Sequence, residues 1–171
     1  MKKILPFLFL AFASLFIFSC KDDSDSDTYS RMRDVTGSFT NGNGYAFTQG
    51  IDINQTDVVL VYRAAGNAWQ QIPKSIYLPN SGTLPTNRVF DYNFVFDSQN
   101  VQIRIDDQNF DLGTQMTQAE ATSYLSNQRF RLVLVPAEAT KNASSVDYSD
   151  YNAVVKYYHL DETKVPTTKV N

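Results

Sequence analysis

Val89-Phe90-Asp91-Tyr92-Asn93-Phe94-Val95-Phe96-Asp97-Ser98-Gln99-Asn100-Val101-Gln102-Ile103-Arg104-Ile105-Asp106 is the stretch that decides the fold class. Side chains along a strand point to opposite faces in turn. Phe90, Tyr92, Phe94 and Phe96 therefore share one side, with Val89, Asp91, Asn93, Val95 and Asp97 on the other. After the polar cluster Asp97-Ser98-Gln99-Asn100, the residues Val101, Ile103 and Ile105 alternate with Gln102, Arg104 and Asp106. Two strands with one buried face, joined by a turn, follow from that pattern.

Outward from this hairpin, short β-branched or aromatic runs recur between Gly, Asn, Asp and Ser clusters. Val58-Val59-Leu60-Val61-Tyr62 and Leu132-Val133-Leu134-Val135 are apolar at every position, so each reads as a central strand covered on both faces. Val35 to Thr40 and Tyr45 to Ile51 flank Asn41-Gly42-Asn43-Gly44, whose residues tolerate positive φ and predict a hairpin. Pro73 cannot donate to a ladder and pushes 69–78 toward a sheet edge or a bulge. A turn at Asp107-Gln108-Asn109 is expected to return the chain to a strand carrying Phe110 and Leu112.

Helical spacing appears late in the chain. Thr117-Gln118-Ala119-Glu120 is a capping box opening a short helix to about Ser126. Asp147 is placed to cap a second, along which Tyr148, Tyr151, Val155 and Tyr158 make an apolar and aromatic stripe. The expected fold is mainly β or α+β, an antiparallel sheet or sandwich of about seven strands with one or two short helices near the C-terminus. It occupies residues 31–160, and 161–171 reads as a flexible tail.

The N-terminus reads differently. Met1-Lys2-Lys3 is a short cationic head, and Ile4 to Phe18 is an apolar run interrupted only by Pro6 and Ser14. Spanning a bilayer takes about 20 apolar residues, so this shorter run fits a secretory signal over 1–19. Ile17-Phe18-Ser19-Cys20 sets a small residue before the only cysteine and resembles a bacterial lipobox, with Phe18 bulkier than usual. That resemblance implies lipidation at Cys20 and a membrane as the first partner. Lys21-Asp22-Asp23-Ser24-Asp25-Ser26-Asp27 contains nothing apolar to bury and reads as an acidic tether over 20–30. Lys21, Asp22 and Asp23 also resemble the signal that carries Bacteroidota lipoproteins to the outer face of the outer membrane, which implies cell-surface exposure.

Composition narrows the functions. The 171 residues include 15 basic and 18 acidic side chains, a net charge of −3. Loss of Lys2 and Lys3 with the signal takes this to −5, which points away from nucleic acid. One Cys and one His leave zinc sites and Cys/His dyads short of parts. His159 stands beside Tyr157-Tyr158 with no Gly-x-Ser-x-Gly elbow elsewhere, so a surface or helix-end role outweighs a hydrolase triad. Asp107-Gln108-Asn109-Phe110-Asp111 starts like a calcium loop but has Leu112 and Gln118 where Gly and Glu are required. The alternating Asp23, Asp25 and Asp27 lack the same two parts. No phosphate-cradling Gly loop is present, and no catalytic, metal or cofactor residues are assigned. Asn54-Gln55-Thr56 and Asn142-Ala143-Ser144 match the N-glycosylation pattern, usually idle in a bacterium.

Two weaker candidates remain. Asp147 with Asp150, or Asp91 with Asp97, would supply paired carboxylates for a hydrolase. Trp69, Tyr77, Tyr148 and Tyr151, and also Tyr157, are flat amphipathic rings of the kind that stack on sugars. Core packing is the competing use for most aromatics.

Asp57-Val58-Val59-Leu60-Val61-Tyr62-Arg63, Trp69-Gln70-Gln71-Ile72-Pro73, the Tyr92 to Ile105 hairpin and Phe130-Arg131-Leu132-Val133-Leu134-Val135-Pro136 together resemble small surface lipoproteins of Bacteroidota. The same series is similar to a domain that follows collagen-like repeats in some proteins of that group. The resemblance spans roughly 31–137 and implies a fold family without carrying over any catalytic residue. The expectation is a lipid-anchored, non-enzymatic interaction or envelope module, its partner an envelope protein or a glycan. A glycan-binding accessory lipoprotein and a carboxylate hydrolase are the alternatives.

Overall fold

The computed structural model describes residues 31–55, 57–140 and 146–170. The signal segment 1–19, Cys20, Lys21, Asp22, Asp23 and the tether to Ser30 lie outside the described residues, as do Thr56 and Asn142-Ala143-Ser144. Nine strands are described: β1 (Arg31–Gly37), β2 (Ala46–Gly50), β3 (Val58–Ala65), β4 (Ala68–Gln71), β5 (Lys74–Tyr77), β6 (Val89–Phe96), β7 (Asn100–Asp106), β8 (Gln128–Val135) and β9 (Thr167–Lys169). Helix α1 (Gln118–Tyr124) precedes β8, followed by the single turn α2 (Ala137–Thr140) and α3 (Tyr151–Tyr157).

The strands form two sheets in the orders β4-β3-β8-β1-β9 and β2-β7-β6-β5. All pairs are antiparallel except β1 with β9. The alternating stretch forms the β6–β7 hairpin, with Tyr92 opposite Ile105 and Phe94 opposite Ile103. Between the sheets lie Val35, Val59, Val61, Phe90, Tyr92, Ile103, Phe130 and Leu132. At the centre Phe39, Phe47, Tyr92 and Phe130 meet at ring separations of 5.0–6.1 Å, in tilted and edge-on geometries favoured by aromatic quadrupoles.

The two all-apolar runs are central strands covered on both faces. Val59 and Val61 of β3, and Leu132 and Leu134 of β8, face the other sheet. Leu60, Tyr62, Val133 and Val135 face away from it and are covered by Tyr151 and Val154 of α3. Helix α1 closes one end of the sandwich, where Tyr92 Oη donates to the Tyr124 carbonyl at 2.5 Å. Its capping box forms as the sequence predicts, with Thr117 Oγ1 accepting from Glu120 N at 3.2 Å and Glu120 Oε2 from Thr117 N at 2.8 Å.

Several local expectations are corrected. Asn41–Asn43 is a 3-10 turn capped by Thr40, and β1 and β2 enter different sheets instead of pairing as a hairpin. Instead β2 packs across the core from β1, with the Phe47 ring so close to Gly37 that a Cβ there would stand 2.7 Å from it. Pro73, by contrast, stands at sheet edges as its missing donor predicts, between edge strand β4 of one sheet and edge strand β5 of the other. Phe110 and Leu112 form no strand, yet both are buried as loop anchors. Asp150 caps α3 with Oδ1 accepting from Asn152 N and Ala153 N, while Asp147 orders the preceding turn by accepting from Ser149 N. The segment 161–171 is not a frayed tail over its described residues, because Thr167–Lys169 adds β9 beside β1 and Asp34 N donates to the Pro166 carbonyl at 2.9 Å.

Candidate functional site

The aromatic candidates separate into two places. Trp69 on β4 and Tyr151 on α3 meet at a ring separation of 5.7 Å over the outer face of the five-stranded sheet. Tyr148 lies at the same helix, its hydroxyl 3.0 Å from that of Tyr158 and its carbonyl accepting from Tyr62 Oη at 2.7 Å. Tyr77 is elsewhere, on edge strand β5 of the other sheet, and is 78% exposed.

Beneath Trp69 and Tyr151 is a buried ionic centre. Asp34 on β1 stands opposite Arg131 on the neighbouring β8. Arg131 donates from Nε to Asp34 Oδ1 at 2.7 Å and from Nη2 to Oδ2 at 3.0 Å, a bidentate pair. Its Nη1 donates to Tyr151 Oη and, at 2.9 Å, to Glu162 Oε1. Arg129 shares Asp34 Oδ2, through Nε at 3.0 Å and through Nη2. The guanidinium of Arg131 lies 4.4 Å from the Trp69 ring centre and that of Arg129 5.1 Å, both within cation–π range.

These contacts set the protonation states. Burial pushes the Asp34 carboxyl up, but hydrogen bonds from Arg131 and Arg129 outweigh it and hold the group below the usual carboxylate range. Burial lowers Arg131, yet the bonds to Asp34 and Tyr151 win and hold it charged. The Tyr151 hydroxyl is pushed up to about 12, by burial first and then by its bond to Glu162. Trp69 and Tyr151 thus roof an ion pair, and Tyr151 is buried instead of offering an open ring.

A second buried pair locks α1. Arg88 donates from Nη1 to Glu120 Oε2 and from Nη2 to Oε1, both at 2.8 Å, and also reaches the carbonyls of Gln115 and Pro79. Hydrogen bonding from Arg88 holds Glu120 below its ordinary value against the upward pull of burial.

The outward face of the four-stranded sheet is open and polar. Thr48 of β2, Gln102 and Arg104 of β7, Asn93 of β6 and Ser75 of β5 point to it, with Tyr77 at one edge and Val95, 45% exposed, toward one end. Arg104 Nε donates to Asp106 Oδ2 at 2.7 Å, and Asn93 Nδ2 to the same oxygen at 3.2 Å. Asp91 stands opposite Asp106 across the ladder, so its cross-strand carboxylate neighbour is Asp106 and not Asp97. The Phe90-to-Phe96 row is buried only at Phe90 and Tyr92; Phe96 is 45% exposed and stacks on Phe94 at 6.2 Å. His159 is exposed just past α3 at φ 52°. Among the described residues no group of three or more His, Cys, Asp or Glu could hold a metal ion.

Asp34, Arg131, Glu162, Arg88 and Glu120 are not among the candidate site residues that the sequence offers. A signal existed for two of them: Arg131 interrupts the apolar run from Phe130 to Val135, and Asp34 precedes buried Val35. Compared with known proteins, the chain matches no family model, no curated protein and no solved structure.

Proposed function

We propose that this chain is a lipid-anchored, non-enzymatic interaction module of the outer face of the outer membrane, tethered through Cys20 and presenting the open face of its four-stranded sheet. The N-terminal series Phe18-Ser19-Cys20-Lys21-Asp22-Asp23 supports the anchor. Residues 20–30 have a reach of roughly 35 Å at full extension, enough to hold a domain clear of a bilayer surface. The observation that carries the interaction role is the asymmetry of the two sheets. Among the described residues the five-stranded sheet is covered by α3, whereas the four-stranded sheet presents a polar ladder edged by Tyr77.

The test of the anchor is metabolic labelling with a palmitate analogue, followed by fractionation and protease treatment of intact cells. Label in the wild type, its loss in Cys20→Ala, and shaving from intact cells are expected. Recovery only in the soluble periplasmic fraction would overturn the reading.

A glycan is the second reading, favoured by the 78% exposure of Tyr77 beside side-chain amides and hydroxyls. A glycan array probed with wild type and Tyr77→Ala decides it: a signal lost in the variant supports a sugar partner, and an empty array counts against it.

A further inference from the structure

Arg63 differs from the other buried arginines. Its side chain sits on the inner face of β3, where Val59 and Val61 precede it, and the residue is only 7% exposed. Arg88 faces Glu120 and Arg131 faces Asp34, but among the described residues Arg63 meets no carboxylate. Its Nε and Nη2 donate to Gln128 Oε1 at 3.1 and 2.7 Å, and Nη2 also to the Ser123 carbonyl at 3.1 Å. The Tyr92 and Tyr124 rings flank it at 4.8 and 5.5 Å. Amide and carbonyl oxygens and ring faces only partly replace the water a guanidinium loses on burial, so the site keeps an uncompensated positive charge.

That charge lines a shallow, open cavity of about 480 Å³ at the α1 end of the sandwich, between the β3–β4 turn and the α1–β8 connection. Ser123, Tyr124, Asn127, Gln128 and Arg129 line it with Arg63, and no acidic side chain does. The Arg129 guanidinium turns to the opposite face of the sheet, toward Asp34 and Trp69, which leaves Arg63 as the cation of this site among the described residues. One buried guanidinium beside the Asn127 amide and the Tyr124 ring, with no carboxylate to neutralise it, suits a small molecule carrying one oxyanion.

We infer that this cavity is a binding site for a small oxyanion, a carboxylate or a sulfate, with Arg63 as its buried anchor. The site stands apart from the open sheet face and does not depend on the lipid anchor.

The test is isothermal titration of the full chain, purified in detergent, with glucuronate, sulfate and neutral glucose at constant ionic strength. Binding of glucuronate, of sulfate or of both is expected, and the pattern tells which oxyanion the cavity takes; glucose should not bind. Arg63→Gln should weaken binding at least tenfold, as loss of charge-assisted hydrogen bonds requires. Because that variant removes a buried group and can fail to fold, Ser123→Glu provides the second arm. Ser123 is an exposed position of α1, so the fold should survive while a carboxylate at the rim competes for Arg63 and lowers affinity at least tenfold. No binding of either anion, equal binding of glucose, or unchanged affinity in folded Ser123→Glu would overturn the inference.

Discussion

Replacing Asp34 by Asn should be among the most damaging single polar changes in the domain. The Asp34 carboxylate, 1% exposed, accepts from Arg131 Nε at 2.7 Å and Nη2 at 3.0 Å, and from Arg129 through Nε at 3.0 Å and Nη2. The two arginines respond differently to its loss. Arg129, with a side chain 50% exposed, can return to water, and its share resembles a surface pair worth about 0–1 kcal/mol. Arg131, 4% exposed, cannot, and removal of one partner of a buried pair typically costs about 3–5 kcal/mol. Glu162 and Tyr151 still accept from Arg131, which places the expected loss near the lower end, about 3 kcal/mol. Against a typical stability of about 5–15 kcal/mol, that shifts a urea midpoint visibly with no change in slope. Urea unfolding followed by circular dichroism reads it, with Arg129→Gln as the comparison expected to lose below about 1 kcal/mol. The dependence on pH has a definite sign: the folded Asp34 is more acidic than the unfolded one, so its contribution is complete above the ordinary carboxylate range near 4 and fades as pH falls below it. A loss below about 1 kcal/mol for Asp34→Asn, or equal losses in the two variants, would refute the view that desolvated Arg131 depends on Asp34.

Other perturbations address different links. Gly37→Ala places a Cβ 2.7 Å from the Phe47 ring and should cost about 1–3 kcal/mol in thermal unfolding; a neutral result would mean β2 can move off β1 freely. Thr117→Ala removes the acceptor for Glu120 N and should cost about 1 kcal/mol, measured by the same urea titration. At high pH, Tyr151 ionises near 12 in the folded state against about 10 when unfolded, and Tyr62 and Tyr92 are raised further by burial. Their share of stability is therefore complete below pH 10 and lost as pH rises beyond it. Absorbance at 295 nm should show these tyrosines ionising together with unfolding, and smooth independent titration near pH 10 would contradict their burial.

Strand identity was legible because it depends on local pattern. The alternation from Val89 to Asp106 and the unbroken runs at 58–62 and 132–135 record which faces of each strand are buried, and these strands form as expected. Capping at Thr117 was equally local, needing only a hydroxyl and a carboxylate three residues apart. Which strand lies beside which was not legible. The turn at 41–44 has hairpin chemistry, but β1 and β2 enter opposite sheets and meet face to face at Gly37 and Phe47, an arrangement that depends on core packing. The order of β9 is hidden in the sequence for the same reason, since the strand has little burial pattern of its own and gains its order from hydrogen bonds to β1.

The candidate sites divide along the same line. Cys20 and the acidic run after it carry their meaning in consecutive residues, and no tertiary contact is needed to read them. Arg131, Arg88 and Arg63 look alike in the chain, each a single basic residue in or beside an apolar run. Folding distinguishes them: it sets Asp34 across a ladder from Arg131, brings Glu120 from a helix 32 positions away to Arg88, and leaves Arg63 facing an amide and an open cavity. A charge in a strand acquires its role from the neighbours that arrive on its face, and those neighbours are chosen by sheet order, which local sequence does not encode.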